Sequence, residues 1–161
     1  MLNRNDILRL DDAGLSAVCK LDFYKDSGPG GQKRNKTSSA VRATLAELNV
    51  SASDCTERSQ ARNRANALRK LRMQIAFSCR VAPAVPPERA ECSLTHADYP
   101  LWTAQLLDVF FEQDLDYRNT AKVLGSSATG LLKKFYRDPG LWQYILAELS
   151  KRDLPLPHPP K

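Results

Sequence analysis

The sequence predicts an α+β protein made of two dissimilar halves. Three observations lead there. Short runs with strand-like alternation flank a glycine-rich segment in the first half. One long helical stripe follows them, from Ser59 to about Phe77. Beyond a proline-rich stretch at Arg80–Pro87 the pattern becomes wholly helical.

In chain order, residues 17–25 alternate partially, with Val18, Leu21 and Phe23 apolar and Lys20 and Asp22 polar. They are expected to form a strand ending at the glycine-rich segment. Val41–Leu45 reads as a second strand and Val50–Cys55 as a third, with a turn near Glu47-Leu48-Asn49. The sheet is thus expected to hold three or four strands. Ser59 is suited to cap a helix, in which Ala61, Ala65, Leu68, Leu71 and Ile75 share one face. Arg62, Arg64, Arg69, Lys70 and Arg72 would take the remaining, solvent-facing surface.

Three prolines in Arg80–Pro87 disfavour both helix and sheet, so residues 80–97 are expected to link a domain at 1–79 to a helical region at 98–161. There Asp98 is expected to cap a helix through Gln113, with Trp102, Leu106, Val109 and Phe110 inward. Asp116 caps a short one to Leu124, Ser126 or Ser127 one to Tyr136, and Asp138-Pro139 begins a last one burying Leu141, Trp142, Ile145, Leu146 and Leu149. Residues 154–161 read as a loose end. Residues 119–135 suit a helix-turn-helix, with Ala121, Leu124, Gly125 and Leu131 at its packing and turn positions. A plain helical bundle with a short glycine turn fits the same pattern.

Composition bounds the function. At 161 residues and 42% hydrophobic the chain can bury a core. It has no 18-residue apolar run and no signal-peptide core in Met1–Asp6, so a cytoplasmic protein without membrane contact is expected. Cys19, Cys55, Cys79 and Cys92 lie far apart, and His96 and His158 are the only histidines. No metal site and no cofactor is expected, and the thiols read as free. The net charge of +6 is lopsided: residues 1–80 hold 15 Lys/Arg against 8 Asp/Glu, while residues 81–161 hold 9 against 10. Such asymmetry fits a nucleic-acid partner or, more simply, a solvated basic face.

The most informative segment is Ser27-Gly-Pro-Gly-Gly-Gln-Lys-Arg-Asn-Lys-Thr37. It is not a phosphate-binding loop, because Gly31 precedes Gln32 and Lys36-Thr37 lacks the preceding glycine. Nor is it a dinucleotide fingerprint, since Lys33 stands where a third glycine would be. An ordinary glycine turn remains open. The alternative is a glycine tip carrying one amide, Gln32, on a base of cations that suits a polyanionic site.

The flanks decide between these. Gly30-Gly31-Gln32, Asn35-Lys36-Thr37, Ser39-Ala40-Val41-Arg42 and Glu57-Arg58-Ser59-Gln60 opening a basic helix occur in one order and spacing. Over residues 17–77 the chain resembles the catalytic domain of class I peptide chain release factors and the related ribosome-rescue hydrolases. The resemblance implies a small sheet with a packed basic helix, acting on peptidyl-tRNA in the peptidyl-transferase centre of the ribosome. On this sequence it implies that the Gln32 backbone amide supports the developing negative charge and its side chain selects water. Gly30 and Gly31 would supply the backbone shape. Residue chemistry agrees, because no nucleophilic triad is visible and only positioning and hydrogen bonding are available at Gln32. Lys33, Arg34, Lys36, Arg58, Arg62 and Arg64 are the candidates for contacts to RNA phosphates, in the large-subunit rRNA or the tRNA. Arg58 could instead pair with Asp54 or Glu57.

Three departures shape the expectation. Arg34 stands where many relatives have an aliphatic residue. A chain of 161 residues leaves no room for stop-codon-reading domains, so release without a codon is expected. The segment Ser150–Lys161 holds only three cations, so the helical half is expected to replace the basic tail of rescue hydrolases. A different class of function stays open: a non-catalytic RNA- or ribosome-binding module, or a DNA-binding helix-turn-helix at 117–137.

Overall fold

The computed structural model describes residues 2–25 and 39–161. The chain divides into two compact units, Met1–Cys79 and Arg80–Lys161. Among the described residues it holds one three-stranded sheet and seven α-helices, an α+β fold with a helical C-terminal region.

The first unit runs α1 (Arg4–Arg9), α2 (Asp12–Val18), β1 (Lys20–Tyr24), β2 (Ala40–Leu45), a 3-10 turn (Ala46–Leu48), β3 (Val50–Asp54) and α3 (Gln60–Ser78). The sheet is antiparallel in the order β1-β2-β3, with Tyr24 opposite Ala40 and Val41 opposite Asp54. Asn49 closes the 3-10 turn at φ 53°, a left-handed conformation that asparagine tolerates. The β2 residues Val41, Ala43 and Leu45 are buried under α3, which packs across β2 and β3.

Four expectations change here. Residues 17 and 18 end a helix, and the strand begins at Lys20. Val18 is apolar yet 42% exposed, which lengthened the apparent alternation. Phe23 is 47% exposed, because β1 is an edge strand and α3 lies over its neighbours. The buried sector of α3 comprises Asn63, Ala67, Leu68, Leu71, Ile75 and Ala76, whereas Ala61 and Ala65 are exposed. Counting only apolar residues rotated the stripe away from Asn63.

The fourth change concerns charge. Arg72, read as part of a solvent-facing basic side, is 12% exposed at its side chain. Its guanidinium donates to Asp12 Oδ1 at 2.7 Å and to the Leu10 carbonyl at 2.9 Å, fastening the α1–α2 turn to α3. Arg4 similarly donates to the Cys79 carbonyl at 2.8 Å, a cation at the C-terminal end of α3 where the helix dipole favours it.

The second unit contains α4 (Tyr99–Glu112), α5 (Tyr117–Val123), α6 (Ala128–Tyr136) and α7 (Pro139–Lys151). Its central element is α4, buried nearly all round, as a helix apolar on every side must be. Asp98 precedes α4 but makes no capping bond; its carboxylate lies 3.4 Å from Arg89 instead. Asp116, Ser127 and Asp138 do cap α5, α6 and α7. Gly125 turns the chain between α5 and α6 at φ +64°, and Ala121 and Leu131 are buried beside it. Leu124 is half-buried. Phe110 meets Phe135 edge-on at 5.2 Å.

Residues 80–98 carry no helix or strand, yet they are fastened along the helices of their own unit. Val81 N–H donates to Asp108 at 3.1 Å, Trp102 Nε1 to the Arg89 carbonyl at 2.9 Å, and Lys134 Nζ to the Ala90 carbonyl at 2.8 Å. No described helix is long and apolar enough to cross a membrane.

Candidate nucleic-acid interface

Of the residues singled out from the sequence, Gly30, Gly31, Gln32, Lys33, Arg34 and Lys36 lie outside the described residues. Arg58, Arg62 and Arg64 lie within them, and all three are exposed. They occupy the turn before α3 and its first turns. Ser59 caps this helix, its Oγ accepting from the Arg62 N–H at 3.3 Å.

The placement is electrostatically unusual. A helix N-terminus carries roughly half a positive charge, so acidic side chains are favoured there and cations opposed. The first turn of α3 has no acidic residue. The guanidinium groups therefore add to the dipole instead of cancelling it. Arg62 lies 3.7 Å from Glu57 Oε2, a pair exposed on both sides and hence weak. The sequence left open whether Arg58 pairs with Asp54 or Glu57. Glu57 faces Arg62, Asp54 faces Lys70, and Arg58 makes no ion pair among the described residues. Arg62 and Arg64, two positions apart, point to nearly opposite sides of the helix, so they cannot form one stripe. They make a positive end instead of a positive face, which suits phosphate groups approaching along the helix axis.

Beneath this end lie two polar hubs. At the first, the Asp54 carboxylate, 2% exposed, accepts from Lys70 Nζ at 2.6 Å, Thr56 Oγ1 at 2.9 Å and Asn66 Nδ2 at 3.1 Å. Burial alone would raise the Asp54 pKa, but the hydrogen bonds from Lys70, Asn66 and Thr56 outweigh it and hold the carboxyl at about 2. At the second, the fully buried Asn63 accepts from the Glu57 N–H at 2.9 Å and donates to the carbonyls of Ser39 at 2.7 Å and Glu57 at 2.9 Å.

Neither hub shows in the apolar periodicity of the sequence. A signal was nonetheless present: Asn63, Asn66 and Lys70 follow at steps of three and four, a polar stripe at helical spacing. The register places the two ends of the connection carrying the glycine segment side by side, since Tyr24 pairs with Ala40. Ser39, held by Asn63, is one residue from that pair.

The second unit offers cations of another kind. Lys134 Nζ lies 3.3 Å from Glu91 Oε1, and Arg137 Nη1 lies 3.6 Å from Glu91 Oε2. Arg137 also donates to the Cys92 carbonyl and lies over the rings of Trp102 at 5.3 Å and Tyr99 at 6.0 Å. Lys151 and Arg152 both bind Glu148, at 2.7 and 2.6 Å. Four of the eight cations in residues 117–161 are thus engaged internally. The helix-turn-helix reading keeps its turn geometry but loses much of the charge that a nucleic-acid interface needs.

Residues 16–94 match a family model described as the RF-1 domain, a match running past Cys79 into the following unit. Peptide chain release factor 2 of Acidithiobacillus ferrooxidans is 46% identical over 59 residues, which is 37% of this chain and 16% of that protein. Peptide chain release factor 1 of Xylella fastidiosa is 44% identical over 62 residues, 38% of this chain and 17% of that protein. Peptide chain release factor 1 of Streptomyces coelicolor is 46% identical over 56 residues, covering 35% and 16%. The chain therefore matches only about one-sixth of the length of these relatives.

Proposed function

We propose that the chain acts as a relative of the catalytic domain of class I peptide chain release factors and hydrolyses the ester bond of peptidyl-tRNA in the ribosomal peptidyl-transferase centre. The observation that carries this reading is the match over residues 16–94, which contains Gly30-Gly31-Gln32 together with Arg58, Arg62 and Arg64. Gln32 is the catalytic residue. Its backbone N–H stabilises the oxyanion that forms when water attacks the ester carbonyl, and its side-chain amide orients that water. Gly30 and Gly31 permit the backbone shape. The leaving tRNA ribose oxygen takes a proton, and the peptide departs as a carboxylic acid. Ribosomal RNA completes the site.

Arg58, Arg62 and Arg64, with Lys33, Arg34 and Lys36, hold the factor on RNA phosphates. Their support is the positive end of α3, where the arginines sit against the helix dipole and the first turn holds no acid, Arg62 facing only the exposed Glu57. Such contacts position without reading sequence.

The finer reading is release without a codon. What supports it is the helical unit, in which half of the cations of residues 117–161 are tied to Glu91 or Glu148, leaving fewer to read an RNA triplet. The test is peptide release from purified ribosomes carrying peptidyl-tRNA, with the mRNA either truncated or displaying a stop codon. Wild type is expected to release peptide on truncated mRNA, and Gln32→Ala, which keeps the backbone N–H but loses the amide that orients water, to lose about two orders of magnitude in rate while still binding. Release only at a stop codon would overturn the codon-independent reading, and full activity of Gln32→Ala would overturn the mechanism.

A further inference from the structure

The buried amide of Asn63 is used almost to capacity. Both donors of its NH2 group and one acceptor site of its carbonyl are satisfied, and every partner is backbone. The partners come from two separate places. Glu57 belongs to the turn that carries Arg58, and Ser39 is the residue at which the chain enters β2 after the glycine segment. A valine or alanine would suit the apolar sector better if packing were the only demand, and a surface asparagine would cap just its own turn. Asn63 instead reaches 24 positions back to Ser39 and 6 back to Glu57.

We propose that Asn63 is a positioning residue for the hydrolysis assigned above, an inference that rests on that reading. It locks the return end of the segment bearing Gln32 to the turn bearing Arg58, so that phosphate contacts made by the arginines fix where Gln32 is presented. The Asn63 amide is spent on backbone groups, so it acts through Ser39 and Glu57. It converts binding at the positive end of α3 into placement of the catalytic amide, and small misplacements of a reacting group are expensive in rate.

The neighbouring hub supplies the control. Asp54 is also buried and also binds the 55–59 turn, through Thr56, but it does not reach Ser39. The experiment measures single-turnover peptide release from ribosome–peptidyl-tRNA complexes over a range of factor concentrations. Wild type is compared with Asn63→Asp, Asp54→Asn and Arg58→Ala. Asn63→Asp keeps size and the acceptor for Glu57 N–H but removes both donors and sets a carboxylate against two carbonyls. Should it fail to fold, Asn63→Ser takes its place, because it adds no charge.

The expected result is a fall of at least tenfold in the saturating release rate of the Asn63 variant, with the half-saturating concentration within about twofold of wild type. Arg58→Ala is expected to show the reverse, a raised half-saturating concentration with the saturating rate retained. Asp54→Asn, assayed well below its melting temperature, is expected to keep both. A wild-type rate in the Asn63 variant overturns the proposal while leaving the function intact. So does an equal fall in Asp54→Asn, which would reduce Asn63 to general stability. No release by wild type overturns the function and the proposal with it.

Discussion

The sheet unit holds 14 cations and the helical unit 10, and the two units use some of them in opposite ways. In the helical unit Lys122, Lys133, Lys134 and Lys151 stand in the last turns of their helices, where the dipole favours them. Lys134, Arg137, Lys151 and Arg152 face Glu91 or Glu148, and Arg137 and Lys134 also bind carbonyls of the 80–98 stretch. In the sheet unit Arg4, Lys70 and Arg72 serve the same structural end. Arg58, Arg62 and Arg64 do not. They stand where the dipole opposes them and where the first turn provides no acid. A cation that lowers its own unit's stability needs another reason to be there, and under the proposed function a polyanionic partner supplies it. Charge totals, which differ by sign between the halves, are a cruder indicator than this difference in use.

Removing the cations tests the contrast most directly. The triple variant Arg58→Ala, Arg62→Ala, Arg64→Ala is expected to bind ribosomes on the order of ten- to a hundredfold more weakly at moderate salt, and to reduce the slope of log affinity against log salt by about three. Its melting temperature should stay level or rise, because a dipole conflict disappears and only the exposed Glu57–Arg62 pair is lost. A marked loss of stability with the salt slope preserved would show these arginines to be structural. Arg137→Met is the mirror image. It removes a guanidinium from over two rings and from the Cys92 carbonyl, and is expected to cost about 3 kcal/mol in urea unfolding of the helical unit. The salt slope of ribosome binding should not change.

The sequence made some of this legible and hid the rest for physical reasons. Helix starts at Ser59, Asp116, Ser127 and Asp138 were readable because a short oxygen-bearing side chain must meet the first free N–H groups. Asn3 and Asp11 cap α1 and α2 in the same way, but those helices have six and seven residues, too few to display a period, and the equally short α5 was readable only through its cap and the glycine turn after it. Which cations are engaged was not legible at all. Arg72 meets Asp12 across 60 positions and Lys134 meets Ala90 across 44, and only the fold brings them together. Asn63 escaped because its burial is satisfied by hydrogen bonds, whereas periodicity looks for oil. The proposed catalytic half of the site, Gly30 to Gln32, lies outside the described residues and is legible only in the sequence, whereas the strand pairing of Tyr24 with Ala40 and the bond from Asn63 to Ser39 are legible only in the structure.

Acid sharpens the comparison further, because Asp54 and Glu91, each facing cations of its own unit, differ in burial. Glu91, facing Lys134 and Arg137, is 64% exposed, whereas Asp54, facing Lys70, is 2% exposed. The Asp54 carboxyl is held at about 2, below its ordinary value of 3.8, by donors that outweigh its burial. A depressed folded pKa means that the unfolded chain binds the proton first. The contribution to stability is therefore fully present above about pH 4 and is lost as the pH falls towards 2. Asp54→Asn is expected to lower the stability of the sheet unit by about 2 kcal/mol at pH 7, with the gap from wild type closing between pH 4 and 2. Urea titrations at several pH values measure it. A gap that stays constant into acid would mean that packing around Thr56 and Asn66, and not the charge facing Lys70, is what Asp54 provides. The polar end of α3 would then be a hydrogen-bonded frame, and the arginines above it would add their field to that of the helix dipole.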